Sequence, residues 1–190
     1  EQELAAVICI EDPIREEARE VVARLKEVGL SKVVMMTGDS DRTAKAIAKR
    51  VGVDEYYSEV LPEDKANFVE REKQAGRKVI MIGDGINDSP ALSAADAGVA
   101  ISEGAEIARE VADITVGADD LKEIVKLKRL SDALMQRIRR NYRIIVGFNT
   151  GLIVCGVTGV LPPTTSALLH NTSTLVIGLQ SMKNLLDESE

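Results

Sequence analysis

Gly83-Asp84-Gly85-Ile86-Asn87-Asp88-Ser89-Pro90 lies between a β-rich run at residues 78–82 and a helical stretch at residues 89–95. Two carboxylates and an amide within five positions, in a loop kept tight by two glycines, form a cluster of hard oxygens suited to Mg2+ beside a phosphate. Pro90 fits the first turn of a helix, where a missing N–H costs nothing. A reverse turn alone requires Gly and Asn and has no use for Asp84 and Asp88 together. The candidate metal ligands are therefore Asp84 and Asp88, with Gly83, Gly85 and Asn87 shaping the loop around the bound group.

The surroundings of this loop repeat its pattern. β-rich runs at residues 5–10, 32–36, 78–82, 98–101 and 113–116 alternate with helical stretches at 14–28, 41–51, 62–75, 89–95 and 105–112. This alternation predicts an α/β fold, a doubly wound parallel sheet with helices on both faces. In such sheets ligands collect at the carboxyl ends of the strands. After the run at 32–36 comes Thr37-Gly38-Asp39-Ser40, where a hydroxyl and turn amides at a helix start suit a phosphate oxygen. The competing reading is that Asp39 or Ser40 only caps the helix. Farther on, Pro62-Glu63-Asp64-Lys65 opens another helix, and Lys65 there opposes the helix dipole, which favours acids. A lysine that neutralises phosphate explains the mismatch; an exposed ammonium would also be tolerated at almost no cost. Thr37, Lys65, Asp84 and Asp88 together describe a phosphate pocket with Mg2+, but no attacking group.

The 190 residues carry a net charge of −7, 3% aromatics and no Trp. That combination excludes a general nucleic-acid binder, which needs basic surface and stacking rings. Cys9 and Cys155 are the two cysteines of the chain, with no second cysteine near either in sequence, which gives neither a disulfide framework nor a cysteine metal cluster, so a reducing compartment is expected. The acidic Glu1-Gln2-Glu3 opening is not that of a signal peptide. Met35, Met36 and Met81 fall in strands and read as core, and Cys155 as a packing residue.

Charge divides the chain. Residues 1–120 have a balance of −11 and residues 121–190 one of +4, and from Ile144 to Met182 there are 39 consecutive residues without Asp, Glu, Lys or Arg. Pro162-Pro163 interrupts this stretch near its middle. At about 1.5 Å per residue, 144–161 and 164–182 would span about 27 and 28 Å, close to the roughly 30 Å of a bilayer core. Residues 121–143 form a basic amphipathic connecting helix, and Arg137, Arg139, Arg140 and Arg143 before the first span, with Lys183 after the second, place both ends in the cytoplasm. The expectation is a transmembrane hairpin at 144–186; a buried hairpin in a soluble protein is the alternative. Polar residues inside it, Asn149, His170, Asn171, Ser173 and Thr174, are candidates for binding a transported ion, or for polar contacts between helices.

These residues resemble the haloacid-dehalogenase superfamily, and within it the P-type ATPases that export transition metals. The resemblance rests on Asp12-Pro13-Ile14-Arg15, Thr37-Gly38-Asp39, Pro62-Glu63-Asp64-Lys65, Gly83 through Leu92, Ala95 through Ala100, Val111-Ala112-Asp113, Asn149, Pro162 and His170 through Thr174. It implies that residues 1–120 are the second half of a phosphorylation domain and the hairpin is the last membrane pair of a multi-pass membrane pump. Such pumps form an aspartyl phosphate from Mg-ATP and couple it to cation movement, with Thr37, Gly38, Asp39 and Lys65 at the phosphate and Asp84 and Asp88 at Mg2+. ATP would be bound mainly by regions outside this chain. Copper pumps resemble Met-x-x-Ser-Ser where this chain has His170-Asn171-Thr172-Ser173-Thr174, a change toward borderline cations such as Zn2+, Mn2+, Co2+ or Fe2+.

The family's nucleophilic Asp, in Asp-Lys-Thr-Gly-Thr, does not occur in these residues, nor do the nucleotide-binding domain, the Thr-Gly-Glu loop or the Cys-Pro-Cys membrane site. The chain is thus expected to act with the missing N-terminal part of the pump and to be inactive alone. Asp12 follows a β run, but Ile14 stands where the superfamily places its acid/base partner, which leaves Asp12 poorly equipped as a nucleophile. A membrane-anchored module that binds phosphate or Mg2+ without chemistry, and a phosphatase using Asp12, are the alternative functions.

Overall fold

A computed structural model describes residues 14–83, 86–101, 110–117 and 121–185. The expected strand at 5–10, Asp12 and most of the helix at 105–112 lie outside the described residues. The chain divides into two compact units, Glu1–Val125 and Lys126–Glu190.

The first unit alternates helix and strand: α1 (Ala18–Glu27), β1 (Val34–Met36), α2 (Asp41–Val51), β2 (Glu55–Tyr57), α3 (Pro62–Gln74), β3 (Ile80–Gly83), a single 3-10 turn (Ile86–Asp88), α4 (Ser89–Ala94), β4 (Ala97–Ile101) and β5 (Ile114–Val116). Every strand pairing is parallel: β1 with β2, β3 with β4, and β4 with β5. Among the described residues no ladder joins β1 to β3, so the strands fall into a group of two and a group of three. β2 was not anticipated by the sequence pattern. It contributes only three residues, and its alternation is broken by the flanking polar Asp54 and Ser58.

Both sheet faces are covered, for the reason that strand side chains alternate. On one face Ala100 packs with Leu92 of α4, and Met81 and Ala112 lie against them. On the other, Ile101 joins Val21 and Leu25 of α1 and Ile124 and Val125, with Ile82 packed alongside. Burying β4 on both sides explains why its run is continuously apolar.

Three aspartates fasten the amino ends of this sheet. Each stands one residue before a strand and accepts a backbone N–H at the start of a neighbouring one: Asp54 from Val33 (2.8 Å), Asp96 from Val79 (3.0 Å) and Asp113 from Gly98 (2.8 Å). A parallel ladder leaves such terminal N–H groups without a strand partner, and a carboxylate accepts them while fixing the register. Lys26 and Lys78 add ion pairs to Asp54 and Asp96 at 2.7 and 2.8 Å.

The second unit contains most of α5 (Lys122–Val157) and α6 (Pro163–Ser181). The connecting helix and the first expected span form one continuous helix rather than two elements. It ends at Val157 and not at the Pro162-Pro163 pair, because Gly159 adopts φ 76° and the Val160 N–H bonds back to the Cys155 carbonyl at 2.9 Å. That left-handed glycine closes the helix in the manner of a Schellman turn. The two expected spans are not shown as membrane crossings: no helix among the described residues is long and apolar enough to cross a membrane. The uncharged part of α5 runs only from Ile144 to Val157, short of the roughly 20 residues a crossing uses. α6 has 19 residues but dilutes its apolar content with Thr164, Thr165, Ser166, His170 through Thr174 and Gln180.

Arg137 of α5 donates to the carbonyls of Ser181, Lys183 and Asn184, and Asn141 donates to the Ser181 hydroxyl at 2.7 Å. These bonds satisfy orphan carbonyls at the carboxyl end of α6 and hold the two helices antiparallel.

Asp54 and Asp96 titrate below the usual carboxylate range, chiefly because Lys26 and Lys78 hydrogen-bond them and secondarily because the Val33 and Val79 amides do. A carboxylate with a lowered folded-state pKa supports folding above its unfolded value of about 3.9 and loses that support as pH falls through the folded value. Urea midpoints should therefore stay level from neutral pH to about 5 and decline below about 4. Asp96→Asn should flatten that decline; an unaltered acid limb in the variant would show that the fastening does not govern it.

Candidate phosphate and metal site

The loops after β1, β2 and β3 supply the candidate groups. Thr37 follows β1 directly, and its N–H bonds the Tyr57 carbonyl at 3.0 Å, while the Val60 N–H bonds the Thr37 carbonyl at 3.0 Å. The loop after β2 is thereby folded against the loop after β1. It turns through Glu59, a non-glycine residue at positive φ (53°), whose N–H reaches the Asp39 carbonyl at 2.9 Å. Sequence reasoning missed this turn because nothing in Ser58-Glu59-Val60 announces a left-handed residue.

Thr37 donates its hydroxyl proton to Asp39 at 2.8 Å and accepts the Asp39 N–H at 3.1 Å. Neither Asp39 nor Ser40 caps α2 with its side chain; Ser40 instead pairs with the Thr43 hydroxyl at 3.2 Å. The helix-cap alternative is thus not realised, and the Thr37 hydroxyl is kept at the carboxyl end of β1 with Gly38 beside it.

Lys65 lies in the first turn of α3, where Asp64 accepts the Leu61 N–H at 3.2 Å and completes the helix start. The lysine turns away from solvent to Asp88, with Nζ 2.7 Å from Oδ1 and side chains only 15% and 11% exposed. This pairing accounts for a cation where the helix dipole disfavours one. The two groups expected to meet phosphate and Mg2+ separately are brought into direct contact.

Gly83, the last residue of β3, permits this arrangement. A Cβ at that position would lie 2.6 Å from Asp88 Cβ and 2.7 Å from its Oδ2, closer than atoms of any side chain can stand. Only glycine lets the Asp88 carboxylate fold back over the strand end. Asn87 is exposed in the 3-10 turn beside it. Asp84 and Gly85 lie outside the described residues.

Among the described residues no group of three or more His, Cys, Asp or Glu is placed to hold a metal ion. Asp88 alone of the expected Mg2+ pair is described. Its carboxylate at the end of β3, seated in space that a Cβ would fill, provides one hard-oxygen ligand of the right kind.

Residues 1–96 match the haloacid dehalogenase-like hydrolase family. The chain belongs to that family. Over most of its length this haloacid dehalogenase-like chain is also similar to metal-exporting pumps. It is 38% identical to a zinc-exporting P-type ATPase of Mycobacterium marinum over 95% of this chain and 25% of the relative. It is 46% identical to a copper-exporting P-type ATPase of Bacillus subtilis over 85% of this chain and 20% of the relative. A crystal structure of a zinc-transporting PIB-type ATPase superposes with a TM-score of 0.82 at 32% identity, covering 93% of this chain and 29% of that one. The chain thus spans about a quarter of the length of these relatives.

In the second unit, His170 Nδ1 and Asn149 Oδ1 are 2.8 Å apart across the helix pair. Ser173 and Thr174 donate their hydroxyls to the His170 carbonyl at 2.8 and 3.0 Å. Of the five candidates in the hairpin, Asn149, Ser173 and Thr174 therefore bond to His170, with the two hydroxyl protons spent inside α6.

Gly83→Ala should cost about 1–3 kcal/mol of stability, the usual range for forcing an extra carbon into a filled space. Urea denaturation of the chain checks it, and a variant indistinguishable from the parent would mean that Asp88 does not occupy the space over Gly83.

Proposed function

We propose that this chain works as the second half of the phosphorylation domain and the final helix pair of an ATP-driven transition-metal pump. The observation that carries the reading is the Lys65–Asp88 pair seated on Gly83 at the carboxyl end of a parallel sheet, in a chain similar to metal-exporting P-type ATPases over 95% of its length.

In this reading Thr37 donates its hydroxyl to a phosphoryl oxygen and exchanges its present bond to Asp39 for one to the ligand. Lys65 neutralises phosphoryl charge while remaining oriented by Asp88, and the turn amides at Gly38 and Asp39 approach the same oxygens. Asp88, with Asp84, would hold Mg2+, which when bound offsets the charge of the transferring phosphoryl group. The attacking carboxylate belongs to the remainder of the pump. ATP is bound mainly by that same remainder.

We further propose that the helix pair is embedded in a bilayer within the complete multi-pass pump, with residues 1–143 on the cytoplasmic side. Ile144, Ile145, Val146, Phe148, Ile153 and Val154 of α5 and Leu168, Leu175, Val176 and Leu179 of α6 are all exposed. So much contiguous apolar surface calls for lipid or neighbouring helices as its cover. His170, with Asn149, Ser173 and Thr174, forms the site for the transported cation, and its imidazole favours borderline ions over Cu(I).

Placed in a complete pump, Asp84→Asn and Asp88→Asn should each abolish phosphoenzyme formation from ATP, assayed by labelled phosphate incorporation. Normal labelling in both would contradict the assignment. His170→Ala should change which metal stimulates ATP hydrolysis while leaving the phosphorylation domain folded; an identical metal profile would make the histidine a packing group.

A further inference from the structure

His170 is the only histidine in the chain, and its partner defines its chemistry. The acceptor facing Nδ1 is the Asn149 side-chain oxygen, at 2.8 Å. An amide oxygen has no hydrogen to give, so with the Asn149 amide in this orientation Nδ1 carries the proton and donates it. A neutral imidazole holds one ring proton, and Nε2 is left with its lone pair.

The remaining groups near the ring anchor its backbone rather than its nitrogens. The hydroxyls of Ser173 and Thr174 both converge on the His170 carbonyl. They fix the turn of α6 that carries the ring, and neither competes for Nε2. Asn149 comes from α5, so the tautomer is set by the opposite helix. Histidines that bind metals are commonly arranged this way, with the non-ligating N–H donated to an oxygen that fixes ring orientation and raises donor strength.

We infer that Asn149 is a positioning residue, which locks His170 in its Nδ1–H tautomer and leaves Nε2 as the ring's donor to the transported cation. The inference rests on the cation-site reading above and changes it in one respect: the Asn149 oxygen is spent on the histidine and is not itself a ligand. Simple polar adhesion between helices would need a hydrogen bond but no particular free nitrogen.

A single histidine makes the test direct. The full 190-residue chain, labelled with 15N-histidine and held in detergent micelles at a pH about two units above the usual imidazole value of about 6.5, gives ring-nitrogen resonances from one residue. The protonated-type resonance should fall on Nδ1 and the lone-pair-type resonance on Nε2. Asn149→Leu, which removes the acceptor, should move the proton to Nε2, and Asn149→Asp, which restores an acceptor, should return it to Nδ1. A proton on Nε2 in the native chain, or no difference between native and Asn149→Leu, overturns the inference. Added Zn2+ should shift Nε2 selectively, and a response at Nδ1 would also overturn it. No response to Zn2+ at either nitrogen would remove the cation-site reading instead, since the metal-free spectra report the tautomer independently.

Discussion

The Asp88 carboxylate, folded back over Gly83 and held by Lys65, is the contact on which the arrangement of the first unit depends. Largely withdrawn from water, each charge is tolerable only with the other present, since removing one partner of a buried pair leaves the second uncompensated. Lys65 comes from the start of α3, after β2, and Asp88 from the turn after β3. Their pairing therefore fixes where the loops of the two strand groups stand. Thr37 is drawn into the same region because the loop after β2 is bonded to it through Tyr57 and Val60.

The opposite end of the sheet is secured by a different means. Asp54, Asp96 and Asp113 accept strand-start amides, and two of the three are backed by lysines. Carboxylates thus serve both ends of the strands in separate capacities. Those at the amino ends satisfy the backbone and set register, whereas Asp88 at the carboxyl end faces a lysine side chain. That division of labour follows from parallel geometry, which leaves unpaired N–H groups at one end and gathers ligand-binding loops at the other.

In the second unit the helix pair is tied at two levels, by Arg137 and Asn141 near one end and by Asn149 with His170 farther along. Polar contacts from one helix to the other fix their relative register more firmly than the apolar residues do, since many of those remain exposed. The pair is thus held by a few directional bonds and presents apolar surface outward.

Much of this was legible from residue order alone. α2 and the openings of α3 and α4 fall where proline, capping residues and periodicity put them, and β1, β3, β4 and β5 lie within or beside the β-rich runs, because local propensity and burial agree there. The positions of Thr37, Lys65 and Asp88, just after a strand or at a helix start, were likewise apparent from loop position. Tertiary structure decided what local pattern does not encode. It produced β2, whose three residues are a strand only because β1 lies beside them, and the contact between Lys65 and Asp88, 23 positions apart. It also assigned Asp54 and Asp96 to distant amides. Hydrophobic period and turn chemistry act over a few residues and can be read along the chain, whereas strand partners and charge partners are chosen in space.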